Sequence, residues 1–103
     1  MAQFDVYRNP NPATAGRIPY FVDIQTEYLD GLSTRVVVPL AHRDGFVAAT
    51  RLNPVFAVES APVVMATAEL AAIRRAALGE RVGSLAEQRH DIIAAIDFLV
   101  TGI

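Results

Sequence analysis

Arg35-Val36-Val37-Val38-Pro39, RVVVP at residues 35–39, is the stretch whose reading decides the fold. Three consecutive β-branched residues favour extended backbone, because a branched Cβ sits well on a pleated surface and crowds a helical turn. The run reads as a buried strand, and it is expected to stop at Pro39, which has no amide hydrogen for a ladder. Upstream, Tyr20 to Gln25 alternates, with Val22 and Ile24 opposite Phe21, Asp23 and Gln25, and LDGLS at 29–33 supplies the turn between. Further upstream, Gln3 to Tyr7 alternates with Phe4 and Val6 on one face, and the intervening NPNPATAGRIP at 9–19 concentrates proline, asparagine and glycine and reads as a surface loop. Downstream, Pro54 to Val58 and Pro62 to Met65 are two more strand candidates. No long crossover element separates the early strands, so the sheet is expected to be antiparallel.

The C-terminal third changes character. Residues 69–78, ELAAIRRAAL, have the composition of a helix, and Gly79 would close it in a left-handed cap. Ser84-Leu85-Ala86-Glu87 has the capping-box pattern, which places a helix start at Leu85. On a helical wheel Leu85, Ile92, Ile93, Ile96, Leu99 and Val100 share a stripe opposite Glu87, His90, Asp91, Asp97 and Thr101, with Phe98 on the polar side. Gly102 is expected to end the helix, since glycine tolerates the cap conformation. The sequence then runs out in DFLVTGI, residues 97–103, without a polar tail. Termini are usually polar and frayed. This segment is therefore expected either to pack into the protein's own core or to be buried by another molecule.

Bulk properties narrow the function classes. Among 103 residues, 52% are hydrophobic and 19% charged, against about 45–50% and about 25% in ordinary domains, an apolar excess that favours self-association. A length of about 100 residues is enough for one domain, 1–103. Cysteine is absent, which removes disulfides, thiolate nucleophiles and thiolate metal sites together. The net charge of −2, with nine scattered basic residues, gives no stripe for a phosphate backbone, so no direct nucleic-acid partner is expected. No apolar run approaches the ~20 residues of a membrane span, and the first eight residues lack a basic-then-apolar leader, so a cytoplasmic protein is expected.

Catalytic signals are weak. Glu87 and His90 have the i,i+3 spacing of a di-iron carboxylate motif, but it occurs once and reads as a solvated polar face; no metal or cofactor is expected. His42 with Asp44 has the elements of a base and its orienter at an unspecific loop spacing, and Arg74-Arg75 is the one basic doublet. Nucleophile elbow, phosphate-binding glycine loop and zinc spacing are all missing.

Read together, QFDVY at 3–7, FVDIQTEYLD at 21–30, RVVVPLA at 35–41, LNPV at 52–55, LGERVGSL at 78–85, DIIAAI at 91–96 and the final Gly102-Ile103 resemble the CcdB family, the gyrase-poisoning toxins of toxin–antitoxin modules. The resemblance implies an SH3-like antiparallel β-barrel with a C-terminal helix, a two-fold homodimer and a non-enzymatic mechanism. It also implies two partners, the DNA gyrase A subunit, trapped in its cleaved complex with DNA, and a CcdA-like antitoxin. Carried onto this sequence, the target-binding residues are Thr101, Gly102 and Ile103. By the same resemblance, 69–78 contains a short helical turn and then a strand, against its composition.

Two departures stand out. The family pattern ends in tryptophan, glycine, isoleucine, and here Thr101 holds the tryptophan position. Large aromatics are the usual interface hot spots, and losing ~3 kcal/mol weakens binding about 100-fold. A second family tryptophan, near Val63, is also missing, which bears on the packing there, and Phe98 is a candidate substitute for the lost terminal ring. The alternatives are a diverged homologue that keeps dimer and antitoxin binding but no longer poisons gyrase, and a ribonuclease of the messenger-RNA interferase type using Arg74, Arg75, His42 and His90.

Overall fold

The computed structural model describes residues 1–43 and 48–103. Among the described residues seven strands, β1 (Asp5–Arg8), β2 (Tyr20–Asp23), β3 (Thr34–His42), β4 (Val55–Val58), β5 (Ala61–Met65), β6 (Ala71–Arg74) and β7 (Arg81–Ser84), precede one α-helix, α1 (Arg89–Thr101). Every strand pair is antiparallel. The sheet runs β4-β5-β3-β2-β1-β7, with β6 also on β3, and forms a half-barrel. The mostly-β architecture with a C-terminal helix is the one the sequence leads to. No helix among the described residues is long and apolar enough to cross a membrane.

β3 is the hub, and it does not stop at Pro39. One edge pairs with β2, from Val37 opposite Asp23 to Leu40 opposite Tyr20. The other edge changes partner, taking β6 along Thr34–Val37 and β5 along Leu40–His42. Pro39 falls in the gap between those two partners. Its carbonyl accepts from the Ala66 amide at 2.9 Å, and the N–H and C=O of a strand residue point to the same edge. The missing amide hydrogen therefore faces the one place on this edge where no ladder partner requires it.

Alternate residues of the strands build the core. Val6, Val22, Val38, Leu40, Val63 and Met65 pack with Phe4, Phe56, Leu85, Ile92 and Ala95. Val63 is fully buried, so the absence of a tryptophan nearby leaves its own site enclosed. Phe4 itself lies outside the strand: its φ is 71°, its amide donates to the Asp23 carbonyl at 2.6 Å, and its carbonyl accepts from Leu85 at 2.8 Å.

The other face, which carries Asp23 and Gln25 in the alternation, holds a buried polar layer. Asp23 and Arg35 are both fully buried, with Arg35 Nε and Nη2 2.8 and 2.7 Å from Asp23 Oδ2. Arg35 Nη2 also donates to the Gln25 carbonyl at 3.2 Å, and Nη1 donates to Asp30 Oδ1 at 3.2 Å. Gln25 accepts from the Val36 amide at 3.0 Å and donates to the Leu29 carbonyl at 3.0 Å. Among the described residues no buried side-chain polar atom lacks a partner, which is the condition for tolerating such a layer.

Two helical expectations give way. Residues 69–78 are not a continuous helix: a 3-10 turn at Thr67–Glu69 leads into β6 and a second 3-10 turn at Arg75–Ala77. The open edge of β3 recruits the segment and overrides its alanine-rich propensity. Gly79 is not a left-handed cap. A Cβ there would lie 2.8 Å from the Arg8 carbonyl oxygen, to which the Gly79 amide donates at 2.9 Å, so glycine allows close approach to β1. The capping box does not form either. Ser84 Oγ accepts from Ala86, a 3-10 turn occupies Ala86–Gln88, and the α-helix begins at Arg89.

Candidate functional site

α1 is attached by its first half. Ile92 and Ala95 are fully buried and Ile96 packs against the core. From Asp97 onward every residue is exposed. The apolar stripe of the wheel is thus divided: Leu85 and Ile92 lie in the core, whereas Ile93, Leu99 and Val100 face outward.

The end of this projection is apolar and internally braced. Gly102 has φ 74° and its amide donates to the Phe98 carbonyl at 3.0 Å, the left-handed cap expected of it. Thr101 Oγ1 donates to the Asp97 carbonyl at 2.7 Å and accepts from the Ile103 amide at 3.3 Å. The threonine hydroxyl thereby ties the last turn to Ile103. Ile103 is 77% and Val100 75% exposed, with Leu99 and Phe98 each at 39%. The sequence-expected residues Thr101, Gly102 and Ile103 therefore lie together on an exposed knob rather than in the core.

A second apolar surface was not anticipated by periodicity. Tyr28, 98% exposed, stands with Leu29 and Leu32 on the β2–β3 connection. Arg35 supports this connection from below through Asp30 and Gln25, and Arg75 donates to the carbonyls of Asp30 and Leu32 from the side. The signal was present in EYLDGL at 27–32, where three large apolar residues sit inside a turn. A shallow groove lined by Gln3, Glu27, Arg81, Arg89 and Ile93 runs between this connection and α1.

Ionisable groups of the sheet have their charge states set by burial and by partners. Burial pushes the Asp23 carboxyl above its ordinary value, opposed by the Gln25 amide and by Arg35. The Tyr20 hydroxyl, 2.6 Å from Glu59 Oε1, and Arg8 hold the Glu59 carboxyl below its ordinary value. Burial, and then the nearby Asp5 charge, push the Tyr7 hydroxyl up to about 12.

The residues considered for catalysis do not assemble. His42 and Arg74 belong to opposite ends of β3, since His42 pairs with Val63 and Arg74 with Thr34. Eight residue-to-residue steps separate those ends, about 26 Å. Arg75 is engaged with main-chain carbonyls, His90 and Glu87 are exposed around the start of α1, and Asp44, the suggested partner of His42, lies outside the described residues.

An exposed, braced apolar knob thus projects from a half-barrel. The protein-family model described as CcdB protein matches residues 3–102. The chain belongs to the CcdB family. This family consists of toxins of toxin–antitoxin modules and is not a known enzyme class.

Proposed function

We propose that this chain is a one-domain, non-enzymatic toxin, spanning 1–103, that acts in the cytoplasm. It binds the DNA gyrase A subunit through Thr101, Gly102 and Ile103, traps the cleaved gyrase–DNA complex, and is neutralised by a CcdA-like antitoxin. The observation that carries this reading is Ile103, 77% exposed on a tip whose backbone its own hydrogen bonds hold in place. Pre-organisation of that kind lowers the entropic cost of docking. A two-fold dimer presents the tip twice, and the outward Ile93, Leu99 and Val100 supply apolar surface for such an assembly.

Burying an isoleucine contributes about 1.5–3 kcal/mol, so removing Ile103 is expected to weaken gyrase binding at least ten-fold. Induced expression should arrest growth, and purified protein should accumulate cleaved DNA with gyrase; both effects should fall when Ile103 is deleted. Undiminished arrest and cleavage in the deleted form would exclude the tip as the contact.

A second reading is favoured by one contact: the Thr101 hydroxyl bonds within its own helix and presents no ring. In that reading the chain dimerises and binds antitoxin without poisoning gyrase. Growth arrest by Thr101→Trp together with none from the native sequence would select it.

A further inference from the structure

Phe98, in the last full turn before the tip, lies under a cation. The guanidinium carbon of Arg51 is 5.3 Å from the Phe98 ring centroid, within the range of a cation–π contact. Arg51 extends from an anchored base. The Thr50 amide donates to the Asn53 carbonyl at 3.2 Å, and the Asn53 amide donates to Thr50 Oγ1 at 2.9 Å. Asn53 Nδ2 donates to the Met65 carbonyl at the end of β5 at 3.0 Å, and the Thr67 hydroxyl donates to the Leu52 carbonyl. The 50–53 turn is therefore closed on itself by Thr50 and Asn53 and tied, through Leu52 and Asn53 on the C-terminal side of Arg51, to the end of β5 and to the 3-10 turn that follows it. A cleft between this turn and α1, with Pro54 and Val55 on one wall and Asp91 and Ala94 on the other, separates the two elements. Arg51 crosses over to the helix one turn beyond that cleft.

Past Ile96 no residue of α1 is buried, so the bearing of the tip depends on contacts made at the surface. We propose that Arg51 is a positioning residue: its guanidinium, held over Phe98, fixes the direction in which Thr101–Ile103 leave the body and thereby sets affinity for the target. This rests on the tip being the target-binding surface. The ring of Phe98, on this account, serves the protein's own geometry instead of replacing the missing tryptophan at the interface.

The test is a double-mutant cycle in the full chain, with Arg51→Ala, Phe98→Leu, both together, and Arg51→Lys. Two quantities are read: amide hydrogen exchange at Leu99–Thr101, and Kd for the isolated gyrase A subunit. An exposed cation–π contact corresponds to about a two- to five-fold effect. Each single variant is expected to speed exchange and raise Kd by that factor, the double variant to be no worse than the poorer single one, and Arg51→Lys to recover most of both. Unchanged exchange in Arg51→Ala, or effects that multiply in the double variant, would overturn the proposal. If the native chain does not bind the gyrase A subunit, the functional reading fails, and the exchange rates alone still decide whether Arg51 restrains the tip.

Discussion

Glu59 and Ser60 occupy the two-residue loop of the β4–β5 hairpin with φ of 51° and 66°, and Val58 pairs with Ala61 across it. Both positions of such a loop favour asparagine or glycine, because a Cβ in the left-handed region costs roughly 1–2 kcal/mol. Glu59 is retained by partners: it accepts from the Tyr20 hydroxyl and pairs with Arg8 Nη2 at 2.8 Å. Ser60 has no comparable tie, so Ser60→Gly is expected to stabilise the fold by up to about 1 kcal/mol after the entropy of the added glycine is deducted. For a domain of about 100 residues that is a rise of several degrees in Tm, up to about 8 °C. An unchanged or lowered melting midpoint would show that the turn is not strained.

At the scale of elements, α1 divides into an anchored half and a free one, and the two halves are expected to respond differently to truncation of side chains. Ile92→Ala removes a fully buried side chain and should cost about 2–5 kcal/mol. Val100→Ala should stay within about 0.5 kcal/mol. Urea melts of both variants check this, and a comparable loss in the two would mean that the outer half is also packed. The first five strands and the existence of this helix were legible because β-branched runs and period-2 and period-3.6 patterns report on burial, whereas β6 was expected as a strand only from the family resemblance and β7 was not anticipated. The division of the helix was not, since Ile92 and Ile93 are equally apolar and only the placement of the sheet distinguishes them. Pro39 misled for a related reason. A strand was expected to lose its donor there, and it does, but at a gap between two partners that no single segment of sequence reveals. Asp23 and Arg35 were illegible as a buried pair because twelve residues separate them: the run holding Arg35 reads as buried, but nothing in it names the carboxylate that pairs with it. In the proposed site, Gly102 and Ile103 come directly from the resemblance to a known family's ending and Thr101 only as an altered position, whereas Tyr28 and Arg51 depend on long-range placement.

Taken as a whole, the molecule buries groups whose charge state the fold controls, and this gives it an alkaline limit. Tyr7, 7% exposed, has its hydroxyl pushed up to about 12 from the 10 of an exposed tyrosine. Between those values the unfolded chain ionises while the folded one does not, so stability is present in full below about pH 10 and falls as the pH rises toward about 12. The loss attributable to Tyr7 is about 2–3 kcal/mol across that interval. Tyr7→Phe, which gives up one hydrogen bond to Asp5, is therefore expected to flatten the fall of Tm with pH in that window; an identical slope would assign the alkaline loss to other groups. The same sheet that encloses Tyr7 leaves the outer end of α1 outside its shelter. Side-chain changes past Ile96 are thus expected to leave folding nearly unaltered, and the sequence there is released from the demands of the core. On the proposed reading, selection on target binding, rather than on survival of the chain, governs its drift.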